Sequence, residues 1–136
     1  MPGMHNCIIS LAANCQQEEN LTEARQRLCQ ILFSPSYTEA IWTEPFGSGR
    51  GNHISPLSPL DFQRDGLYLN QLVYAQTSFS AEQLIATLKE IECAMGRTQE
   101  DRQKGIVRID LDLMQYDLDR YHLRDWDRPY IQALLR

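Results

Sequence analysis

Residues Lys104–Tyr116 read KGIVRIDLDLMQY, and apolar and polar side chains alternate along them as in a strand with one buried face. The apolar face would carry Val107, Ile109, Leu111 and Leu113. The opposite face would carry Arg108, Asp110 and Asp112, with Met114 beyond them. Two neighbouring carboxylates repel each other, and they suit hard divalent metal ions that carry phosphates. An isolated Asp-x-Asp is more often found in an edge strand whose solvent-facing side happens to be charged.

Length and composition indicate one domain, 1–136, with enough chain for its own core. The net charge of -5 argues against a general binder of nucleic acids or anionic membranes, which would need a basic face. Local basic clusters at Arg97–Arg108 and Arg120–Arg128 are suited to a small polyphosphate. No apolar run approaches membrane-spanning length and the N-terminus does not resemble a secretion signal, so we expect a cytoplasmic protein.

The cysteines and histidines do not indicate a zinc site. Four cysteines are scattered without a C-x-x-C pair, and we expect reduced thiols packed within secondary structure. They are Cys7, Cys15, Cys29 and Cys93. The three histidines, His5, His53 and His122, are too far apart in sequence to suggest ligand spacing.

Periodicity and capping signals predict an alternation of strands and helices. Strands are predicted over Cys7–Leu11, Tyr37–Pro45, Leu67–Ser78 and the stretch quoted above. Helices are predicted over Glu18–Leu32, from Ser80 to Gly96, and over Arg128–Leu135. The second helix has the clearest start, because Ser80 and Gln83 have the spacing of a capping box.

The order β-α-β-β-α-β predicts an α+β, ferredoxin-like fold: an antiparallel sheet with both helices on one face, plus a short C-terminal helix. Two loops stand out. Residues Phe46–Pro59 form a long glycine-, serine- and proline-rich loop, which is either a disordered surface insertion or a lid over a site. Residues Arg97–Lys104 are predicted to be a polar loop.

The sequence resembles the 6-hydroxymethyl-7,8-dihydropterin pyrophosphokinase family over nearly its whole length. The residues that carry the resemblance are Gly96, Arg97, Arg102, Gly105 and the run Arg108–Met114. This resemblance implies the ferredoxin-like core and a place in folate synthesis. It further implies transfer of diphosphate from ATP to the pterin hydroxymethyl group, with release of AMP.

Site residues follow from the same resemblance, position by position. Asp110 and Asp112 match the aspartate pair that holds two Mg²⁺ ions. Positions matching the pterin site are Thr43, Pro45, Phe46, Tyr68, Asn70 and Tyr130. Positions matching nucleotide-binding residues are Glu92, Arg97, His122 and Arg128. The groups implied in catalysis are Asp110, Asp112, Arg97, Arg108, His122 and Arg128. His122, Arg128 and Tyr130 keep the family's spacing, with tyrosine in place of phenylalanine.

Other functions stay open at this point. A pterin- or nucleotide-binding relative without turnover would keep most of these residues, and some depart from the family pattern. Arg108, for example, lies one residue past the position of the family's phosphate-binding arginine, which Val107 occupies. An RNA-binding domain is disfavoured by the acidic charge, and a metal-dependent nuclease by the lack of a convincing third carboxylate. We expect small-molecule substrates, no nucleic-acid or membrane partner, and a monomer or weak homodimer.

Overall fold

The computed structural model describes residues 3–44, 66–96 and 98–135. The strands are β1 (His5–Ala13), β2 (Phe33–Tyr37), β3 (Ile41–Thr43), β4 (Tyr68–Thr77), β5 (Asp110–Tyr116) and β6 (Asp119–Arg120). The helices are α1 (Gln17–Leu28), α2 (Ala81–Ala94), α3 (Gln99–Gln103) and α4 (Pro129–Leu134), with a 3-10 turn at Asp125–Asp127. None of the described helices is long and apolar enough to cross a membrane.

The sheet has the order β2-β4-β1-β5-β6, with β3 also paired to β4, and all of these pairs are antiparallel. The two central strands, β1 and β4, are each joined to another strand by a helical crossover. This arrangement confirms the predicted α+β, ferredoxin-like fold. It also places β1 between β4, which carries Tyr68 and Asn70, and β5, which carries Asp110 and Asp112.

One face of the sheet is covered by α1 and α2, as predicted. Buried residues of the two helices pack against alternate residues of the strands. From the helices these are Leu21, Ala24, Leu28, Leu84, Leu88 and Ile91; from the strands they include Ile9, Leu11, Val73, Leu111 and Leu113. The capping box that starts α2 is present, since Ser80 Oγ accepts from the Gln83 N–H and the Gln83 side chain accepts from the Ser80 N–H.

The opposite face of the sheet has a smaller core under the C-terminal segment. Leu72 and Met114 project from this face and are buried by Trp126, Ile131 and Leu134. Pro129 occupies the first turn of α4, where its missing N–H costs no helical hydrogen bond. The C-terminal segment therefore packs on the face that also carries Asp110 and Asp112.

The predicted second strand, Tyr37–Pro45, is wrong in its extent. The chain instead forms two short strands, β2 and β3, which both pair with β4. The first helix correspondingly ends at Leu28 rather than at Leu32. Pro35 is tolerated in β2 because this strand lies at the sheet edge, where an absent N–H breaks no ladder.

Three further expectations need correction. The strand predicted over Lys104–Tyr116 begins only at Asp110, and the predicted polar loop after α2 contains the short helix α3. Thr98 caps α3 by accepting a hydrogen bond from the Asp101 N–H at 3.0 Å. Cys7 is buried as expected, but Cys29 and Cys93 are exposed on their helices rather than packed.

Candidate functional site

The strand register brings the two sequence motifs onto one face of the sheet. Ala12 of β1 pairs with Asn70 on one side and with Asp110 on the other. Directly paired residues point to the same face, so the three side chains form a row across three strands. Adjacent strands lie about 4.8 Å apart, which separates Asn70 from Asp110 by about 10 Å with only a methyl group between them.

The next row along the sheet has the same pattern. Ser10 pairs with Leu72 on one side and with Asp112 on the other. Small side chains on β1 therefore leave a shallow floor between Asn70 and Leu72 of β4 and the two carboxylates of β5. Sequence reasoning did not identify Ser10 and Ala12, because small residues in a buried strand give no functional signal until their neighbours are known.

Asn70 is held in place by the short strand β3. Its Nδ2 donates to Thr43 Oγ1 at 2.9 Å and to the Ile41 carbonyl at 3.2 Å, and the residue is only 3% exposed. Thr43, itself buried, pairs with Tyr68 in the same strand register. Three of the predicted pterin-site residues are therefore in direct or neighbouring contact.

Tyr68 and Tyr130, the two aromatic residues of the predicted pterin site that the structure describes, lie within electrostatic range of Asp110. Burial raises the pKa of Tyr68, and the charge of Asp110 raises it further. Burial also raises the pKa of Tyr130, to which Asp125 and Asp110 add, while a hydrogen bond from Arg128 lowers it. The two rings come from β4 and α4, and Asp110 is a common neighbour of both.

Asp112 lies in a mixed environment of acids and bases. Burial raises the pKa of its carboxyl group; His122 and Lys89 oppose this effect, and Glu92 and Asp125 add to it. His122 Nε2 is 3.7 Å from Asp112 Oδ1, with the imidazole about half exposed. A partly buried carboxylate among other acids is an environment that favours binding of a cation.

A cavity of about 290 Å³ opens beside Asp112, between α2 and β5. Its walls are mainly apolar, and the basic side chains of Lys89 and His122 also line it. The residues that shape it are Ile85, Leu88, Lys89, Leu113, Tyr121 and His122. A larger groove of about 610 Å³ lies on the face of the sheet that carries Asn70 and Asp110, lined by Asn6, Tyr74 and Gln115, but none of the predicted site residues lines it.

Two predicted basic residues are engaged in ion pairs. Arg108 Nε donates to Asp101 Oδ2 at 2.8 Å, and this hydrogen bond holds the pKa of Asp101 below its usual range. Arg128 is 3.0 Å from Asp125 Oδ1, one helical turn earlier in the chain. Asp125 and Lys89 were missed from the sequence; the i,i+3 spacing of Asp125 and Arg128 was the available signal for the former.

Several predicted residues lie outside the described part of the chain. They are Pro45, Phe46 and Arg97, together with the long loop at 46–59. Glu92, by contrast, is described and is 1% exposed. Its carboxylate Oε2 accepts a hydrogen bond from the Leu111 N–H at 2.8 Å.

The donor set of Asp110 and Asp112 fits Mg²⁺ in its chemistry. Both provide hard carboxylate oxygens from the same face of β5, and Mg²⁺ commonly takes one or two carboxylates and completes its shell with water and phosphate oxygens. Among residues 3–44, 66–96 and 98–135, no group of three or more side chains is arranged to hold a metal alone. Such a site would bind the ion together with a phosphorylated substrate.

Comparison with known proteins gives two matches. The model of a family described as 7,8-dihydro-6-hydroxymethylpterin-pyrophosphokinase (HPPK) matches residues 8–136. Over 76 residues, the chain is 40% identical to the mitochondrial folate synthesis bifunctional protein of Pisum sativum. That alignment covers 50% of this chain and 15% of the pea protein, so the chain corresponds to a small part of this relative.

Proposed function

The chain belongs to the 7,8-dihydro-6-hydroxymethylpterin-pyrophosphokinase family, and we propose that it transfers diphosphate from ATP to 6-hydroxymethyl-7,8-dihydropterin and releases AMP. The family consists of ATP-dependent diphosphotransferases of folate biosynthesis. The observation that carries the proposal is the row Asn70, Ala12 and Asp110 across three strands. It sets a hydrogen-bonding amide and a carboxylate at the two ends of a flat floor.

The pterin ring would lie on this floor. A bicyclic heterocycle with hydrogen-bond donors on its edge matches Oδ1 of Asn70, which can accept while Nδ2 stays bound to Thr43 and Ile41. Tyr68 and Tyr130 are placed to contact its faces, since flat rings stack favourably on aromatic side chains. The hydroxymethyl group would then point from the Asn70 end of the row towards the carboxylates of β5.

The nucleotide would occupy the cavity between α2 and β5. Its apolar walls suit the adenine base, and the cavity ends at Asp112 and His122, where the phosphates would begin. Arg128 and Lys89 would contribute positive charge on either side of the phosphate chain. Arg97 and Arg108 keep the phosphate-binding roles that the family resemblance implies for them.

The residues of this chain would act by positioning and by balancing charge. Asp110 and Asp112 would hold two Mg²⁺ ions, which supply neutralisation of phosphate charge and a lowered pKa for the substrate hydroxyl. The hydroxymethyl group would release its proton to solvent as its oxygen attacks the β-phosphorus in line; the bond from that phosphorus to the bridging oxygen of the α-phosphate would break, and AMP would leave with that oxygen. His122 and Arg128 would stabilise the charge that develops on the transferring group and on AMP.

The direct test measures AMP released by the purified protein from ATP, Mg²⁺ and 6-hydroxymethyl-7,8-dihydropterin. Asp112→Asn should lower this rate by about a hundredfold or more, the size of effect expected when one electrostatic group is removed from an active site. Asp119→Asn is the matched control, because Asp119 is an exposed residue of the neighbouring strand β6. Equal rates for Asp112→Asn and the wild type would contradict the metal assignment.

The same preparation distinguishes the alternative of a binding protein without turnover. Calorimetry with a non-hydrolysable ATP analogue, Mg²⁺ and the pterin would then show binding while no AMP appears. A cytoplasmic location, one domain over 1–136 and a monomer or weak homodimer stay predictions from the sequence. Size-exclusion chromatography with light scattering measures the last of these.

A further inference from the structure

A buried carboxylate lies beneath the strand that carries the aspartate pair. Glu92, near the end of α2, is 1% exposed, and carboxylates are rarely buried unless their oxygens are satisfied. Oε2 accepts from the Leu111 N–H at 2.8 Å, across 19 residues of sequence. Oε1 lies 3.5 Å from Lys89 Nζ, whose side chain is more than half exposed.

The position of Leu111 gives this hydrogen bond its significance. β6 pairs only with Gln115 and Tyr116 of β5, so at Leu111 the outer edge of β5 faces α2 and not another strand in the described sheet. A buried N–H at such an edge needs an acceptor, and Glu92 provides it. Leu111 is also the residue between Asp110 and Asp112, so its backbone fixes where both carboxylates stand.

We propose that Glu92 is a positioning residue, whose carboxylate anchors the backbone of β5 at Leu111 and thereby sets Asp110 and Asp112 for binding of the metal. This inference rests on the proposed function for its link to turnover, but its contact and its effect on metal binding do not require turnover. It differs from the role in adenosine binding that the family resemblance implies for this position. In this structure the carboxylate oxygen Oε2 is directed at the protein's own backbone.

Two conservative variants separate the effect of side-chain length from the effect of charge. Glu92→Gln keeps the length of the side chain and a carbonyl oxygen that can accept from the Leu111 N–H, but it removes the charge. Glu92→Asp keeps the charge, but it is one methylene shorter and falls short of Leu111. A positioning role predicts that Glu92→Gln retains function and Glu92→Asp loses it. Glu90→Asp is the matched control, because Glu90 is exposed on the same helix.

The first readout is amide hydrogen exchange at Leu111 in the ligand-free protein, measured by NMR. We expect exchange at least about tenfold faster in Glu92→Asp, since a lost hydrogen bond to a charged group is worth more than a factor of ten. Glu92→Gln, which keeps a neutral acceptor, should exchange at a rate between those of the wild type and Glu92→Asp. The second readout is Mn²⁺ binding, measured by electron paramagnetic resonance in the presence of a non-hydrolysable ATP analogue. We expect the weakest binding in Glu92→Asp and stronger binding in Glu92→Gln.

Steady-state AMP release completes the test. Glu92→Asp should lower kcat and raise the Mg²⁺ concentration needed for half of the maximal rate, and Glu92→Gln should restore both. A rise in the KM for ATP in both variants, with kcat unchanged, would overturn the proposal in favour of a nucleotide ligand. Loss of function in Glu92→Gln with function kept in Glu92→Asp would overturn it in favour of a role for the charge. If the wild type releases no AMP but the exchange and Mn²⁺ rankings hold, the proposed function fails and the positioning role stands.

Discussion

Arg108 and Asp101 form an ion pair that joins α3 to the chain just before β5. The hydrogen bond from Arg108 lowers the pKa of Asp101 below the usual 3.8. Folding therefore favours the ionised form of Asp101, and this contribution to stability is fully present above pH about 3.8. It is lost as the pH falls through the lower, folded-state pKa.

We expect Arg108→Met to lower the free energy of unfolding at pH 7 and to leave it less dependent on pH below about 4, because the carboxyl group of Asp101 loses its stabilising partner. Urea unfolding between pH 2 and 7 measures both effects. Arg102→Met is the control, since Arg102 is exposed at the end of the same short helix α3. If the free energy of unfolding of Arg108→Met fell with pH below about 4 as it does in the wild type, the ion pair would not contribute to stability.

Tyr130 is the aromatic residue of the candidate pterin site that comes from the C-terminal helix. If its ring contacts the pterin, Tyr130→Phe should keep the affinity and Tyr130→Leu should weaken it by up to about tenfold, the usual worth of an aromatic pair beyond simple burial. Calorimetry with the pterin and an ATP analogue provides the measurement. Tyr74→Leu serves as the control, because Tyr74 lies on the same face but lines the other cavity. Equal affinity of the two Tyr130 variants would exclude stacking there.

At the scale of whole elements, α4 closes one side of the candidate site and buries part of the sheet. Ile131 is 1% exposed and packs with Leu72 and Met114 of the central strands. Ile131→Ala should therefore cost about 2–5 kcal/mol of unfolding free energy, as large-to-small substitutions in a core do. Chemical denaturation measures this cost, with the exposed Ala133→Ser as control. A loss below about 0.5 kcal/mol, the size of an ordinary surface substitution, would mean that α4 is not packed as described.

Elements with strong local signals were predicted well. The capping box at Ser80 and the helical periodicity that follows it indicated α2, and the strand predicted over Leu67–Ser78 matches β4 within one residue at each end. The segment 33–43 was predicted less well, because its division into β2 and β3 depends on pairing with β4 rather than on its own pattern. The two-residue strand β6 has too little sequence to show any periodicity.

At the scale of the molecule, the candidate site depends on register. The residue types of Asn70 and Asp110 marked them as unusual in the sequence, and the family resemblance suggested their roles. Their alignment through Ala12, by contrast, is a property of three strands that are far apart in the chain. The role of Glu92 also depends on residues distant in the chain. Its sequence position alone indicates a solvated helix residue, but its carboxylate is buried and accepts a hydrogen bond from the Leu111 N–H.

The reactivity of the Cys7 thiol reports on unfolding of the whole molecule. Cys7 lies on the helix-covered face of β1, is 3% exposed, and burial raises its pKa from 9.0 to about 11, with a smaller effect of Asp117. At pH 8 only about one thiol in a thousand would be ionised even if it were reached by a reagent. Cys29 and Cys93, by contrast, are exposed.

We therefore expect iodoacetamide at pH 8 to label Cys29 and Cys93 first, and Cys7 at least about a thousandfold more slowly, since labelling there requires unfolding of the central strand. Mass spectrometry of the digested protein assigns each rate. The Cys7 rate should rise with urea in parallel with global unfolding, whereas the other two should change little. Cys7→Ser, which removes the slow phase, identifies its origin. If Cys7 were labelled as fast as Cys29, β1 could not be the buried centre of the sheet, and the register that aligns Asn70 with Asp110 would be wrong as well.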